Sequence, residues 1–237
     1  MSETITFTID GVEVRGEPGQ TIMAAADVAG VYIPRLCSMQ GLVPHGSCRV
    51  CTVMVNGRAQ SACTQPVAPN MIVENNTDEL LGIRRDIIDM LFVEGNHYCM
   101  FCEKSGNCEL QALAYRFGIT NPKFPFMFPE GEVDASHPDI WVDRDRCVLC
   151  GRCVRSSRDL DGKHVFEFVG RGSEKRVAVN AEANLGQTNI DVTDKAMDAC
   201  PVGALVTKRT AYAVPVGQRK YDHEPIGTDI EQAAGKE

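Results

Sequence analysis

The sequence of 237 residues is poor in aromatic residues, has no excess of basic charge and contains no long hydrophobic run. Its 32 acidic residues outnumber the 24 basic ones, and no basic block offsets them, which argues against nucleic-acid binding. No apolar stretch approaches the roughly 18 residues that a membrane span needs. The N-terminal residues MSETITFTIDG lack the basic and apolar regions of a signal peptide. We therefore predict a cytoplasmic protein that neither spans a membrane nor binds nucleic acid.

Cysteine, in contrast, is abundant, with 11 residues. Disulfides are rare in the reducing cytoplasm, and an odd number of cysteines cannot all be paired. The spacing C-x2-C occurs repeatedly, including the overlapping run Cys147, Cys150 and Cys153. Clustered pairs at this spacing are typical of metal sites, and catalytic redox thiols are a less favoured interpretation.

Alternating polar and apolar residues predict a sheet near the N-terminus. The expected strands cover residues 4–9, 12–15, 51–55, 59–63 and 71–75. Two of the turns carry hairpin signals, Asp10-Gly11 and Asn56-Gly57. An apolar, alanine-rich helix is expected over residues 22–29. Two hairpins packed on one helix, with a cysteine-rich loop between them, indicate a β-grasp unit.

Helical spacing of apolar residues dominates the middle of the chain. Thr77 is a predicted N-cap for a helix that ends near Gly95, and a second helix is expected over residues 108–117. Residues 119–138 are rich in proline and phenylalanine and are predicted to be a linker packed on its neighbours. The third unit has a cysteine loop, a short helix, two strands and a further helix. These last elements are expected near residues 165–169, 176–180 and 194–199.

The first cysteine set lies in the predicted β-grasp unit at the spacing C-x10-C-x2-C-x11-C. It consists of Cys37, Cys48, Cys51 and Cys63. Soft thiolates suit iron, and a loop containing Gly41 and Gly46 can approach a metal closely and offer N–H groups to the sulfurs. The spacing is not that of plant-type ferredoxins, but the context predicts a 2Fe-2S site. A structural zinc site is the alternative.

The second set contains only three cysteines, Cys99, Cys102 and Cys108. His97 stands two residues before Cys99 and is the candidate fourth ligand. With it, the three sets account for all 11 cysteines. A neutral imidazole in place of an anionic thiolate raises the potential of a cluster, as in Rieske centres.

The third set combines a C-x2-C-x2-C triplet with a distant Cys-Pro. Its members are Cys147, Cys150, Cys153 and Cys200. In two-cluster ferredoxins, the triplet of one motif is completed by the Cys-Pro of the other. The cysteines that a second cluster would need are replaced here by Ser157, Ile190, Thr193 and Ala196. We therefore predict a ferredoxin-type domain reduced to one 4Fe-4S site.

Arginines are frequent around the third set: Arg144, Arg146, Arg152, Arg155 and Arg158. They either offset the charge of a cluster, bind an acidic surface of a partner, or form a solvated face beside the loop. The sequence leaves these alternatives open.

These motifs predict an α+β fold of three units and a tail. Residues 1–76 form a β-grasp, 2Fe-2S ferredoxin-like domain. Residues 77–138 form a short helical domain with a His/Cys cluster, together with the linker. Residues 139–206 form a ferredoxin-like 4Fe-4S domain. Residues 207–237 are a polar tail that is either disordered or laid against a partner.

The order of the three sets, with the segments CRVC, GNCELQ and ACPVGAL, resembles a known iron–sulfur module. This module forms the N-terminal part of the large iron–sulfur subunit of complex I and begins iron-only hydrogenases. It also forms the diaphorase small subunit of bidirectional NAD-reducing nickel–iron hydrogenases. The resemblance covers about residues 4–206 and implies one 2Fe-2S and two 4Fe-4S clusters. Because the other relatives continue into large further domains, the diaphorase subunit is the expected match.

The resemblance implies an electron-transfer subunit with no catalytic site of its own, and the sequence contains no G-x-G-x-x-G or Walker motif. A diaphorase large subunit with FMN would exchange hydride with NAD. The small and large hydrogenase subunits, with a nickel–iron centre, would interconvert hydrogen and protons. The same relay in an NAD-linked formate dehydrogenase or a complex I-type enzyme is an alternative. A zinc-stabilised scaffold or adaptor and an iron–sulfur redox sensor are alternatives of a different class.

One position departs from the complex I pattern. Those relatives carry the histidine ligand four residues before the first cysteine of the second set, where this sequence has Gly95. The arrangement of His97 and Cys99 resembles that of the hydrogenase branch. If His97 is not the ligand, a nonprotein group or another histidine would have to serve. The other histidines are His45, His137, His164 and His223.

Overall fold

The computed structural model describes residues 4–233. The strands are β1 (Ile5–Ile9), β2 (Val12–Gly16), β3 (Thr52–Val55), β4 (Arg58–Ser61), β5 (Ile72–Glu74), β6 (Val133–Asp134), β7 (Ile140–Asp143), β8 (Phe166–Val169), β9 (Arg176–Val179) and β10 (Leu205–Thr207). The helices are α1 (Ile22–Val28), α2 (Asp78–Val93), α3 (Glu109–Arg116), α4 (Arg152–Asp159), α5 (Lys195–Ala199) and α6 (Thr228–Ala233).

The N-terminal unit is a five-stranded sheet in the order β2-β1-β5-β3-β4. The central pair β1 and β5 is parallel, and the other neighbours are antiparallel. The turn residues Asp10, Gly11, Asn56 and Gly57 have φ values of 49°, 81°, 48° and 78°. Positive φ at both central residues is the requirement of a type I′ hairpin turn. The predicted strands, the two hairpins and the β-grasp fold are confirmed.

Helix α1 packs beside this sheet and completes its core. The Thr21 hydroxyl caps the helix by accepting a hydrogen bond from the Ala24 N–H at 3.2 Å. Phe7 and Val53 from the sheet and Ile22 from the helix are fully buried in one cluster. The chain between α1 and β3 has no regular structure, and three cysteines of the first set lie in it.

Helices α2 and α3 form the second unit. Thr77 caps α2 as predicted, since its hydroxyl accepts from the Leu80 N–H at 3.3 Å. The buried faces of α2 and α3 enter a hydrophobic core that also contains residues of the other two units, such as Leu36 and Ile140. One continuous core therefore holds the second unit between its neighbours.

The third unit contains two strands that the sequence analysis did not predict, β7 and β10. They pair antiparallel, and β6 from the end of the linker is the third strand of their sheet. Both are short, and most of their residues are buried, so neither shows the alternation typical of a half-exposed strand. The two predicted strands are present as β8 and β9, which pair antiparallel, and the predicted helix is present as α5.

The positions that a second ferredoxin cluster would need are filled by protein. Ile190 and Ala196 are buried in the hydrophobic core. The Ser157 side chain is also buried, and its hydroxyl accepts from the Val165 N–H at 2.8 Å. Thr193 is exposed and donates to the Asp191 carboxylate at 2.6 Å. The core of the domain thus occupies this region with apolar side chains and local hydrogen bonds.

The described part of the polar tail packs on its own chain, which corrects the expectation that it is disordered. The Tyr221 N–H donates to the Gly106 carbonyl at 3.0 Å. Arg116 of α3 donates to the Ile226 carbonyl at 2.8 Å and pairs with Glu231 of α6. These contacts lie in loops and at a helix surface, so no periodic sequence pattern predicts them.

Arg152 of α4 connects the three units through hydrogen bonds. Its guanidinium, almost fully buried, donates to both oxygens of Glu109 at 2.7 Å and to the Ser38 carbonyl at 2.7 Å. Ser38 belongs to the first unit and Glu109 to the second.

Replacing Arg152 with Met is expected to lower the free energy of unfolding by about 3–5 kcal/mol, because it leaves the Glu109 carboxylate largely buried without its cation. Anaerobic urea denaturation measures the change. Arg158→Met is the matched control, because Arg158 lies on the same helix, is exposed and pairs only with its neighbour Asp159. It is expected to change the value by less than about 0.5 kcal/mol. Equal losses in the two variants would contradict the bridging role of Arg152.

Candidate metal centres

The hairpin of β3 and β4 brings two cysteines of the first set together. Thr52 and Ser61 pair at the open end of the hairpin, which places Cys51 directly before one strand and Cys63 close after the other. The Ala62 N–H donates to the Cys51 carbonyl at 3.2 Å. The long loop before β3 supplies the remaining two, and the Cys37 N–H donates to the Cys48 Sγ at 3.3 Å.

Three pairs of thiols in the first set contact each other: Cys37 with Cys48, Cys37 with Cys63, and Cys51 with Cys63. These contacts lower the pKa values of the acceptors and raise those of the donors. Hydrogen bonds from Cys48 and Cys63 hold the pKa of Cys37 far below its usual range. A hydrogen bond from Cys63 lowers the pKa of Cys51 to about 7. The hydrogen bond to Cys37 raises the pKa values of the two donors, Cys48 and Cys63. Four soft sulfurs held this close form a donor set suited to iron.

The loop glycines of the first set have the predicted conformation. Gly41 and Gly46 have φ values of 84° and 70°, which the L residues rarely adopt. The expectation that these glycines donate to the sulfurs is not met by the hydrogen bonds of the structure. The backbone N–H groups of Cys37 and Val50 contact the Cys48 sulfur, and that of Cys48 contacts the Cys37 sulfur.

The second set surrounds a separate pocket between α2 and α3. The walls include all four predicted ligands: His97, Cys99, Cys102 and Cys108. Cys99 lies in a short 3-10 turn, and Cys108 is the N-cap of α3. The Gln111 N–H donates to the Cys108 Sγ at 3.5 Å. Burial raises the pKa of Cys99 and raises that of Cys108 to about 12.

His97 has the environment of a ligand. Its Nε2 atom is buried and has no hydrogen-bond partner within the described residues. Burial lowers its pKa to about 4, so the imidazole is neutral, as a metal ligand must be. None of the other four histidines lines this pocket. An unpartnered, buried nitrogen costs free energy, and a metal at this position would offset that cost.

Glycine at position 95 leaves room for the His97 imidazole. A Cβ atom at residue 95 would stand 2.5 Å from the His97 Nε2 and 2.9 Å from the Asp145 carbonyl oxygen. The imidazole of His97 therefore occupies the space that a side chain at position 95 would need. The sequence analysis identified the offset, but only the structure shows that the two positions compete for one place.

The third set lies in an apolar pocket of the third unit. Its four cysteines line the pocket together with Val142, Phe166 and Val202. Helices α4 and α5 pack against each other, which brings Cys153 near Cys200 across the domain. Burial raises the pKa of Cys147 to about 11 and that of Cys150 to about 12. This set can hold a cluster away from water.

Within residues 4–233, no three His, Cys, Asp or Glu side chains are arranged around one point as ligands of a single metal ion. The second and third sets are instead spread over the walls of their pockets. In the same range, none of the helices combines the length and apolar character that a transmembrane helix requires.

The third set lies next to the second. The Arg146 guanidinium, just before Cys147, lies 3.7 Å from the Cys102 Sγ and pairs with Glu103 at 2.9 Å. The Glu109 N–H donates to the Pro201 carbonyl at 2.8 Å. A Cβ atom at residue 203 would overlap the Cys102 Sγ, so glycine is needed there for the backbone to lie this close to the second set. No local sequence pattern predicts these contacts.

The third set also adjoins the first. Arg155 of α4 donates to the Cys37 carbonyl at 2.6 Å and to the Cys150 carbonyl at 3.4 Å. His45 stacks on Phe168 with ring centroids 6.4 Å apart. Three roles were possible for the arginines on sequence grounds, and the structure distinguishes the arginines by their burial. Arg152 and Arg155 are buried between units, whereas Arg158 is exposed.

Three family models match the chain, and each encloses one set. A 2Fe-2S iron-sulfur cluster binding domain matches residues 2–78. An NADH-ubiquinone oxidoreductase-G iron-sulfur binding region matches residues 84–123. A 4Fe-4S single cluster domain matches residues 140–207. The predicted presence of 2Fe-2S and 4Fe-4S binding domains is confirmed.

Similar proteins cover all three units together. The gamma subunit of the NAD-reducing hydrogenase HoxS from Cupriavidus necator is 41% identical over 94% of this chain and 95% of its own length. The mitochondrial NADH-ubiquinone oxidoreductase 78 kDa subunit of Candida albicans is 32% identical over 88% of this chain, which spans only 29% of that protein. A chain in the crystal structure of NAD+-reducing NiFe-hydrogenase in the H2-reduced state superposes with a TM-score of 0.90 and 45% identity. That match covers 93% of this chain and 94% of the other.

Proposed function

Because the chain belongs to the family of the gamma subunit of NAD-reducing hydrogenase, we propose that it relays electrons between a flavin subunit that binds NAD(H) and a nickel–iron hydrogenase module. The relay serves the reaction in which H2 and NAD+ form NADH and a proton. The chain is an electron-transfer subunit of an oxidoreductase. The catalytic sites for hydride and for hydrogen lie on its partners in this proposal.

The observation that carries the proposal is the grouping of all 11 cysteines and His97 into three separate donor sets. We assign a 2Fe-2S cluster to the first set and one 4Fe-4S cluster to each of the other two. When bound, an iron–sulfur cluster accepts and releases single electrons. The proposed domain boundaries follow the same grouping, with units at 1–76, 77–138 and 139–206 and a tail at 207–237.

The residues of the chain position these clusters, keep water away and adjust their charge. The apolar walls around the third set and the buried position of Cys108 lower the local dielectric. N–H groups of Cys37 and Gln111 point at cysteine sulfurs. Donors of this kind stabilise the reduced and more negative state of a cluster.

The contacts between sets support an order of electron transfer in which the third set lies between the first and the second. Arg155 joins the backbone of Cys37 to that of Cys150, and Arg146 joins the third set to Cys102. In this order, electrons cross the chain from one outer set to the other through the buried ferredoxin-like unit.

The proposed partners are a diaphorase large subunit that carries FMN and the small and large hydrogenase subunits with the nickel–iron centre. The proposed location is the cytoplasm. Gentle anaerobic co-purification, with partners identified by mass, tests this assignment. Recovery of formate dehydrogenase or complex I-type subunits in place of the hydrogenase subunits would contradict the proposed terminal partner. The proposed electron-transfer role of this chain would still hold.

Purified anaerobically, the chain is expected to be brown and to contain about ten iron atoms and acid-labile sulfide. Cys51→Ser should lower the iron content by about two, and Cys108→Ser by about four, because each removes a ligand of a different cluster. A colourless protein that holds zinc and no sulfide would show a zinc-stabilised scaffold instead. Metal analysis and the visible absorption spectrum decide between the two.

A further inference from the structure

Arg155 is a buried cation at the junction of two donor sets. Its guanidinium donates to the Cys37 carbonyl and the Val43 carbonyl, both at 2.6 Å. On the other side it donates to the Gly151 carbonyl at 3.1 Å and the Cys150 carbonyl at 3.4 Å. Cys37 belongs to the first set and Cys150 to the third, so one side chain contacts the ligand loops of both.

The charge of Arg155 is not neutralised by an ion pair. Two neighbouring arginines of the third unit do have carboxylates, since Arg152 pairs with Glu109 and Arg146 with Glu103. The acceptors of Arg155 within the described residues are backbone carbonyls only. The Asp159 carboxylate lies one turn along α4 and is exposed to solvent. Its hydrogen bond from Arg158 lowers its pKa, and the charge of Arg155 contributes less to this shift.

A buried cation without a carboxylate favours any nearby group that gains negative charge, because the low dielectric strengthens the attraction. Each reduction adds one electron, and hence one negative charge, to a cluster. We propose that Arg155 raises the reduction potentials of the first and third clusters together, because its guanidinium contacts the ligand loops of both sets. Arg155 bonds to backbone carbonyls of the ligand loops, and it acts on the potentials of both clusters through its positive charge.

This inference rests on the proposed function, because it needs a cluster in each of the two sets. The test is a dithionite titration of the cluster-loaded full chain, followed by electron paramagnetic resonance. A chain without cluster signals would refute the proposed function. Signals with unchanged potentials would refute only the role of Arg155.

In Arg155→Gln, the ratio of reduced to oxidised cluster at a fixed potential should fall at least about tenfold for the first and the third cluster. For a one-electron couple this corresponds to about 59 mV. The second cluster should titrate as in the wild type. Arg155→Lys, which keeps the charge, should restore most of both potentials. Arg158→Gln is the control on the same helix and should shift none of them.

The proposal would be overturned if Arg155→Gln shifted the reduction potential of only one of the two clusters. It would also be overturned if Arg155→Gln and Arg155→Lys shifted the potentials equally. If Arg155→Gln loses iron, an exposed position gives a second test. Val43 is 72% exposed, and its carbonyl accepts from Arg155. Compared with Val43→Gln, Val43→Glu adds a carboxylate beside the cation and should lower both potentials. A shift confined to the first cluster would contradict the shared role.

Discussion

Replacing Cys150 with Ser is expected to interrupt electron flow through the chain while the first cluster stays in place. Cys150 is buried in the third set, which adjoins both the first and the second. A hard hydroxyl oxygen is a poor substitute for a soft thiolate on iron. One 4Fe-4S signal should disappear, and the 2Fe-2S spectrum should remain close to that of the wild type.

Cys150→Ser is expected to cause a large loss of catalytic activity in the complex. Changes in groups that only support a metal ligand cost 10–100-fold in activity, so loss of a ligand should lower hydrogen-dependent NAD+ reduction by more than about 100-fold. Reduction of an artificial dye by NADH should persist, because it needs only the flavin subunit in the proposed arrangement. Both rates are measured on the complex with its partners.

Val154→Ala is the matched control, since Val154 is buried on α4, shortly after Cys150 in the chain, and is not a proposed ligand. It should keep all three signals. An unchanged rate in Cys150→Ser would remove the third set from the path. Loss of every signal would show that the three sites assemble as one unit.

Replacing His97 with Cys is expected to lower the potential of the second cluster by on the order of 100 mV or more. A thiolate adds negative charge where the imidazole is neutral, and this difference separates Rieske centres from plant-type ferredoxins. A redox titration of the full chain measures the shift. The first and third clusters should titrate at their wild-type potentials.

Gly95→Ala tests the same ligand by steric means. The added methyl group would stand 2.5 Å from the His97 Nε2, so the imidazole must shift from its present position. We expect the second cluster to change its signal or to be lost, with a decrease of up to about four iron atoms. His223→Cys is the control, because His223 is exposed and bonds to the Gly217 carbonyl. An unaltered second cluster in both His97→Cys and Gly95→Ala would remove His97 from the ligand set.

Elements specified by neighbouring residues were predicted well. The two hairpins follow from Asp10-Gly11 and Asn56-Gly57, since each turn needs positive φ at two adjacent positions. The start of α2 follows from the Thr77 cap. Strands β7 and β10 were missed because they are short, largely buried and more than 60 residues apart in the chain. No local pattern distinguishes such strands from loops.

The sequence by itself indicated how the 11 cysteines and His97 group into three candidate donor sets, because ligand chemistry and spacing are properties of short segments. It also determined the β-grasp hairpins and the main helices, for the same reason. Only the tertiary structure decided which of the five arginines are buried, why Gly95 accompanies His97 and which donor sets adjoin each other. Arg155 and the Cys37 carbonyl are separated by 118 positions in the chain. Contacts of this kind depend on how the units pack, and packing brings together residues that share no local signal.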